Sequence, residues 1–319
     1  MAENTAVQAG SELDLDAVSR EMLEVIADMH GDTPGAVNIR KNGCLACRAN
    51  SEHVTITSKE DNPGIDIRVD AGAKNEHVHI PVVVTEEGVH DVVYNDFYIG
   101  EGADAYIVAG CGIHNGGDKD SEHDGIHRFF LEPGSHVTYV EKHYGEGEGT
   151  GARILNPTTE VHLAEGASME MEMVQIKGVS STVRKTTGTL EADAKLVITE
   201  KLMTHGAQHA TSDVDFEMVG DGSSVRIISR SVARDDSVQL FRPNIIGSAA
   251  CRGHVQCDAI IMDHARVTSV PAIDAKSTEA ELVHEAAIGK IAGEAIVKLM
   301  TLGLTEEEAE EQILEDFLS

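Results

Sequence analysis

Three segments of the chain open with the same glycine turn and continue as the same alternating strand. They are EGADAYIV, PGSHVTYV and EGASMEMEM, and their glycines, Gly102, Gly134 and Gly166, stand 32 residues apart. EADAKLVIT at 191–199 and GDGSSVRII at 220–228 continue the series at slightly shorter steps, with half-step runs such as GTGARIL near 151 and TSDVDFEM near 214. A strand-and-turn unit of this length cannot bury its apolar face alone, whereas stacked copies build a continuous core. The recurrence therefore predicts a mainly β chain wound as a solenoid over residues 36–275. An evenly spaced β-sandwich is the competing architecture, and the turn spacing favours the solenoid. Aromatics make up only 3% of the chain and Trp is absent, so the core must come from Val, Ile, Leu, Ala and Met, which suit layered strands.

Both ends of the chain change pattern. Leu15, Val18, Met22, Val25, Ile26 and Met29 recur at helical spacing, predicting an N-terminal helix over 12–30 that stops at Gly31. Residues 278–302 contain no Pro and two interior Gly, which predicts a second helix. Thr305 and Glu308 then form a capping box that opens a third helix, with Ala309, Ile313, Leu314 and Phe317 on its apolar face. The expected domains are an N-terminal helical segment (1–35), a β-solenoid (36–275) and a C-terminal helical subdomain (276–319).

The net charge of −30 opposes phosphate binding, so nucleic acid and anionic membranes are poor partners. No apolar run reaches 18 residues, and the acidic N-terminus lacks a signal-peptide core, so a cytoplasmic location is expected. Thiols stay reduced there, and the five cysteines read as ligands, reactive groups or core residues.

Four constellations can carry chemistry. Cys44-Leu-Ala-Cys47 has metal or redox spacing but no second pair nearby, and two structural cysteines on an early strand or turn are the plainer reading. Cys111-Gly-Ile-His114, with His123 and His127, falls in a glycine-rich polar stretch read as a long projecting loop. There the four residues could bind zinc or iron, or an imidazolium could activate the Cys111 thiol. Cys251, His254, Cys257 and His264 share a third stretch. Strand alternation would put the 251 and 257 thiols on one side unless Arg252-Gly253 interrupts the strand. His284-Glu285 is half of a zinc H-E-x-x-H motif, but Ile288 stands where the second His is needed, so the metalloprotease reading fails.

The runs GHVQCDAIIMDHARVTSVPAIDAKSTEAEL and LVHEAAIGKIAGEAIVKLMTLGLTEEEAEEQILEDFL resemble the C-terminal core of the SufB/SufD family of iron–sulfur cluster assembly scaffolds. The resemblance covers roughly residues 85–318, is most specific over 247–318, and is to the compact, SmsB-like form. It implies a right-handed parallel β-helix with helical ends. It implies a homodimer joined through C-terminal strands, and C-terminal helices that dock an ABC-type ATPase subunit, SufC or SmsC, so that ATP acts only through that partner. Cys257 in Q-C-D, with His284 and Glu285 in H-E-A, matches the SufB-type ligand set for a transient iron–sulfur cluster and its iron. Leu282 stands in the Cys slot of SufD-type chains. Cys111 in G-C-G aligns with the SufB cysteine that accepts sulfur from a donor such as a cysteine desulfurase system. The expected role is a non-enzymatic scaffold that builds a cluster and passes it to apoproteins. A ligand set of one thiolate with His and Glu should hold the cluster less tightly than four thiolates, which suits release. The alternatives are a zinc enzyme built on Cys111, His114, His123 and His127, and a polysaccharide-binding β-helix, which the missing export signal and scarce aromatics disfavour.

Overall fold

The computed structural model describes residues 15–30 and 33–318. It is 56% strand, a β-solenoid of about eight turns with helices at both ends. The strands in chain order are β1 (Ala36–Lys41), β2 (Cys44–Ala49), β3 (Val54–Ser58), β4 (Gly64–Val69), β5 (Glu76–His79), β6 (Val82–Val84), β7 (His90–Ile99), β8 (Asp104–His114), β9 (Ser121–Leu131), β10 (His136–Glu146) and β11 (Arg153–Leu155). They continue as β12 (Thr158–Leu163), β13 (Ser168–Lys177), β14 (Ser181–Leu190), β15 (Lys195–Thr204), β16 (His209–Met218), β17 (Ser224–Ala233), β18 (Val238–Gly247), β19 (Arg252–Ile261), β20 (Arg266–Ser269), β21 (Ala272–Ala275) and β22 (Glu281–Gly289). The helices are α1 (Ala17–Ala27), α2 (Gly293–Thr301) and α3 (Glu306–Leu318).

Two sheets face each other. The first runs β2-β1-β5-β8-β10-β13-β15-β17-β19-β22, and the second runs β20-β18-β16-β14-β11-β9-β7-β4-β3. From β7 onward the chain alternates between the two sheets, with β11 and β12, and likewise β20 and β21, sharing a rung of the second sheet, and strands pair in parallel one rung along. A hairpin sandwich is thereby excluded. Among the described residues antiparallel pairing occurs only where the stack begins, in β1–β2 and β3–β4. The repeating turn needs a left-handed residue, which is why the series could be read at all: Gly102, Gly134 and Gly166 have φ of 63°, 65° and 66°, and Asp193 fills the next corner at 56°. One contiguous core, from Val54 through Phe97, Phe129, Met171 and Ile198 to Ile245 and Cys257, fills the space between the sheets.

α1 is shorter than the expected 12–30. Asp16 caps it by accepting a hydrogen bond from the Ser19 N–H at 2.7 Å, and Asp28 ends it in a left-handed conformation. The expected stop, Gly31, and residues 12–14 lie outside the described residues. Met22, Leu23 and Ile26 bury against Val37, Ile39, Val83 and Val108, so the helix covers the outer face of the first sheet. Its approach explains the G-C-G sequence: a Cβ on Gly110 would lie 2.1 Å from the Ile26 carbonyl oxygen, and one on Gly112 2.6 Å from Met22 Cε.

The helix expected over 278–302 is a correction. Residues 281–289 form strand β22, paired with β19 from Arg252–Glu281 to Ile260–Gly289, and only 293–301 are helical. The run is rich in helix formers, but the open ladder of β19 offers its backbone a full set of partners, and tertiary pairing overrides a propensity worth tenths of a kcal/mol per residue. The stack of strands thus runs past 275 to Gly289. The capping box holds: the Thr305 N–H donates to Glu308 Oε2 at 2.8 Å and the Glu308 N–H to Thr305 Oγ1 at 3.2 Å. Among the described residues no helix is long and apolar enough to cross a membrane.

Gly110→Val should cost about 1–3 kcal/mol by wedging α1 from the sheet. Gly289→Ala, where a Cβ meets nothing, should be near neutral. Urea unfolding of the two variants checks the contrast.

Candidate functional site

Alternation along each strand sends every second side chain into the solenoid, and parallel pairing stacks equivalent positions into ladders. One interior ladder runs Ala109, Glu141, Met173, Glu200, Ser229, Cys257, Ala286 across the first sheet. The neighbouring ladder, two residues along, begins Cys111, His143, Gln175. Cys111 and Cys257 therefore face the same interior, five strand steps and about 24 Å apart at a strand spacing of about 4.8 Å.

Charged and polar groups line the space between them. Arg184 on β14 reaches across from the second sheet. It donates to Glu141 Oε1 at 2.5 Å and to Met173 Sδ at 3.2 Å, and its Nε lies 3.7 Å from Glu200 Oε2. His143 Nε2 is 3.1 Å from Glu141 Oε1. The Ser212 hydroxyl donates to Glu200 at 2.7 Å and the Ser229 hydroxyl at 3.4 Å. A directed chain feeds the other oxygen of Glu141: Tyr139 OH donates to it at 2.7 Å, His127 Nδ1 meets Tyr139 OH at 2.7 Å, and Asn95 Nδ2 meets His127 Nε2 at 3.3 Å. Burial pushes the Glu141 carboxyl up, but Arg184 and His143 outweigh it and hold the group well below the usual carboxylate range.

Glu141, His143, Arg184 and Glu200 were not among the residues singled out from sequence. The signal was available in parity: in HVTYVEKHYGE the inward positions are Val137, Tyr139, Glu141 and His143, so a charge falls on the core face.

The expected loop around Cys111 does not exist. Cys111 and His114 belong to β8, His123 and His127 to β9, because the polar residues alternate with inward ones and complete two rungs. Cys111 faces inward from one sheet and His123 and His127 from the other, while His114 faces outward beside Glu146 at 3.1 Å. His123 Nδ1 is taken by Asp91 at 3.2 Å. These four residues do not form a zinc cluster. Burial pushes His127 down to about 4, so this ring supplies no imidazolium at neutral pH. Burial, with Glu141 and Asp91, pushes the Cys111 thiol well up, so in the closed solenoid it is a neutral thiol.

At the C-terminal end, Arg252-Gly253 does not break the strand. β19 begins at Arg252, and Gly253 faces inward where a Cβ would meet Ile245 and Leu282 at 2.7 and 2.8 Å. Cys251 and Cys257 are both buried, but six residues of extended chain set them about 20 Å apart. His264 sits in the exposed turn after β19. On β22, Cys257 is opposite Ala286, so His284 lies on the same face two residues back, its Cα about 8 Å from that of Cys257. The His284 Nε2 is buried and has no hydrogen-bond partner. Glu285, on the alternate face, is opposite Gln256 and 3.4 Å from outward-facing His254. Within one chain the fold thus sets Cys257 and His284 on one face of adjacent strands but turns Glu285 to the other side of the sheet. Burial raises the Cys257 thiol, with the Ser269 side chain opposing it. Cys44 and Cys47 sit on β2, exposed and half-buried, and the bulge that pairs Cys47 with Ile39 and Cys44 with Lys41 leaves both on one face of the strand.

Residues 82–317 match the family model described as SUF system FeS cluster assembly, SufBD core domain. The chain belongs to this family. The matched span starts in β6 and takes in Cys111, Cys257, His284 and the interior ladder between them. Similar proteins include iron–sulfur cluster assembly SufBD family proteins of Methanothermobacter thermautotrophicus (28% identical over 241 residues, 74% of this chain and 57% of the relative) and Archaeoglobus fulgidus (28% over 276 residues, 84% and 71%). A Methanocaldococcus jannaschii member is 25% identical over 84% of this chain and 85% of its own length. The chain spans little more than half the length of the Methanothermobacter relatives it matches. SufBD membership ties the chain to iron–sulfur cluster assembly.

Arg184→Met should strip the buried Glu141 and Glu200 of their shared arginine, leaving only His143, Tyr139 and the two serines, and cost about 3–5 kcal/mol at pH 7. Glu141 titrates low in the native protein, so its contribution is present above the unfolded carboxylate pKa of about 4.3 and is lost as pH falls below it. The gap between wild type and variant in urea unfolding should therefore narrow below about pH 4. In a thiol-labelling time course without denaturant, Cys44 should react at once, and Cys111, Cys251 and Cys257 only as the solenoid opens.

Proposed function

We propose that this chain is a scaffold on which a transient iron–sulfur cluster is built for transfer to apoproteins. The observation that carries the reading is Cys257 facing the solenoid interior beside the buried, unpartnered Nε2 of His284. A thiolate and an imidazole nitrogen are both ligands for iron–sulfur species, and the cluster here is cargo. Burial lifts the Cys257 pKa, and a bound iron would lower it again by stabilising the thiolate.

In this reading Cys111 receives sulfur. Its thiolate attacks the outer sulfur of a donor persulfide, the donor's S–S bond breaks, and the donor leaves as a thiolate while Cys111 carries the new persulfide. A cysteine desulfurase system is a suitable donor. The polar ladder of His143, Glu141, Arg184, Glu200 and Ser229 offers a route inside the solenoid toward Cys257. Because Cys111 is buried and its pKa raised, sulfur entry requires the wall around β8 to open.

β22 ends its sheet with a free edge, and the side chains around it include exposed Val283, Ile288 and Ile273. An open parallel edge of this kind invites pairing. A second copy added there would cover the apolar rim and bring the outward Glu285 of one subunit within reach of a shared site. α2 buries none of its residues and leaves Val297, Met300 and Leu302 exposed, a face suited to an SufC/SmsC-type ABC ATPase. ATP then acts only through that partner, whose closure would pull the C-terminal helices and bias the dimer junction between two states. The protein itself needs no catalytic activity.

Anaerobic reconstitution with ferrous iron and sulfide tests the site. Cys257→Ala should abolish the visible sulfur-to-iron absorbance and His284→Ala should reduce it. Cys111→Ala should reconstitute normally with inorganic sulfide but fail when sulfur comes from a desulfurase. Full absorbance in Cys257→Ala overturns the assignment.

A further inference from the structure

The outer wall of the solenoid carries a second donor set, unrelated to the interior. His90 projects from β7, and Glu122 and Asp124 project from β9, with His90 and Glu122 paired in register. His90 Nε2 lies 3.4 Å from Asp124 Oδ2 and 3.7 Å from Glu122 Oε2, and one donor atom from each residue lies within 4.8 Å of the other two. The edge of a tetrahedron with metal–ligand bonds of about 2.1 Å is about 3.4 Å, so small rotamer adjustments would close these three atoms on an ion. This is the one such group of three His, Cys or carboxylate ligands among the described residues.

Two further features distinguish it from an ordinary acidic surface. Glu122 is held from the next rung, where Asn156 Nδ2 donates to Glu122 Oε1 at 2.9 Å while Asn156 Oδ1 accepts from the Val183 N–H at 3.0 Å. Metal-binding carboxylates are oriented by such outer contacts. Asp124 Oδ1 is shielded from solvent and has no hydrogen-bond partner. Two carboxylates two residues apart on one strand face repel each other, and among the described residues no Lys or Arg pairs with either; His90 is their only ion-pair partner.

We propose that His90, Glu122 and Asp124 form a solvent-open site for a divalent first-row transition metal, with Asn156 as a positioning residue. One imidazole and two carboxylates favour such ions over calcium and magnesium, which take all-oxygen sets. His90 is 61% exposed, so water completes the coordination and the ion exchanges freely. The chain's charge of −30 raises the local concentration of cations. The site lies several rungs, about 20 Å or more, from Cys257 and works independently of any cluster there.

Cobalt(II) titration of the metal-free full chain carrying Cys257→Ala tests this. Weak d–d bands without intense sulfur-to-cobalt charge transfer should saturate at one ion per chain, and millimolar magnesium should not displace it. The His90→Ala/Asp124→Asn double variant should bind at least about 100-fold more weakly, and Asn156→Ala about 10-fold more weakly. Circular dichroism should be unchanged, since all three ligands face outward. Absence of saturable binding, displacement by magnesium, or equal affinity in the double variant overturns the site. Cluster reconstitution in the double variant with Cys257 intact should be normal, which separates this proposal from the scaffold reading.

Discussion

The parallel register of one rung on the next is the constraint from which the rest follows. Each strand from β7 onward satisfies its backbone by pairing with the strand one turn away, and apart from a register shift after His143 in β10 the pairing stacks like positions over like. An apolar residue at one position then demands apolar residues above and below it. A polar residue placed inside finds only its ladder neighbours and the facing sheet as partners. Glu141 sits inside the solenoid because Arg184 crosses from the opposite wall to meet it, and Glu200 because Ser212, Ser229 and the same arginine do.

That arrangement makes the interior heterogeneous along the axis. The part nearest the N-terminus is stacked aromatic and aliphatic, with Phe97 on Phe129 at 4.2 Å. The middle is ionic. Toward β19 and β22 one ladder passes through Ser229 and Cys257 to Ala286, and the next ends at the orphaned nitrogen of His284. A core of this kind gives up apolar burial in exchange for charges that are strongly coupled and individually costly to break. The last rung lacks a neighbour, so its inward Ala286 and Ile288 are exposed, Leu282 and His284 are half-buried, and its edge is free. The free backbone edge therefore lies at this end of the stack, on the strand that carries the unpartnered Nε2 of His284.

Much of this was legible in the residues. The glycine corners announced the repeat, because only glycine and a few Asp and Asn residues adopt the left-handed turn each rung needs. The capping box at Thr305 and the apolar stripe of α1 announced helices. The helix expected across 278–302 was misread because helix-forming residues say nothing about an open strand edge waiting to pair. The segment around Cys111 was misread because glycines and histidines resemble a loop until alternate positions are seen to face a core.

Local composition and spacing thus determined that the chain is a stacked β-solenoid with helical ends, since turn chemistry and strand alternation act over a few residues. Only the tertiary structure decided which remote residues come together: Arg184 bonded to Glu141, Cys257 sharing a face with His284 but not with Glu285, and His90 beside Glu122 and Asp124. Those meetings depend on the number of residues in each rung, and a shift of one residue would turn every side chain to the other face.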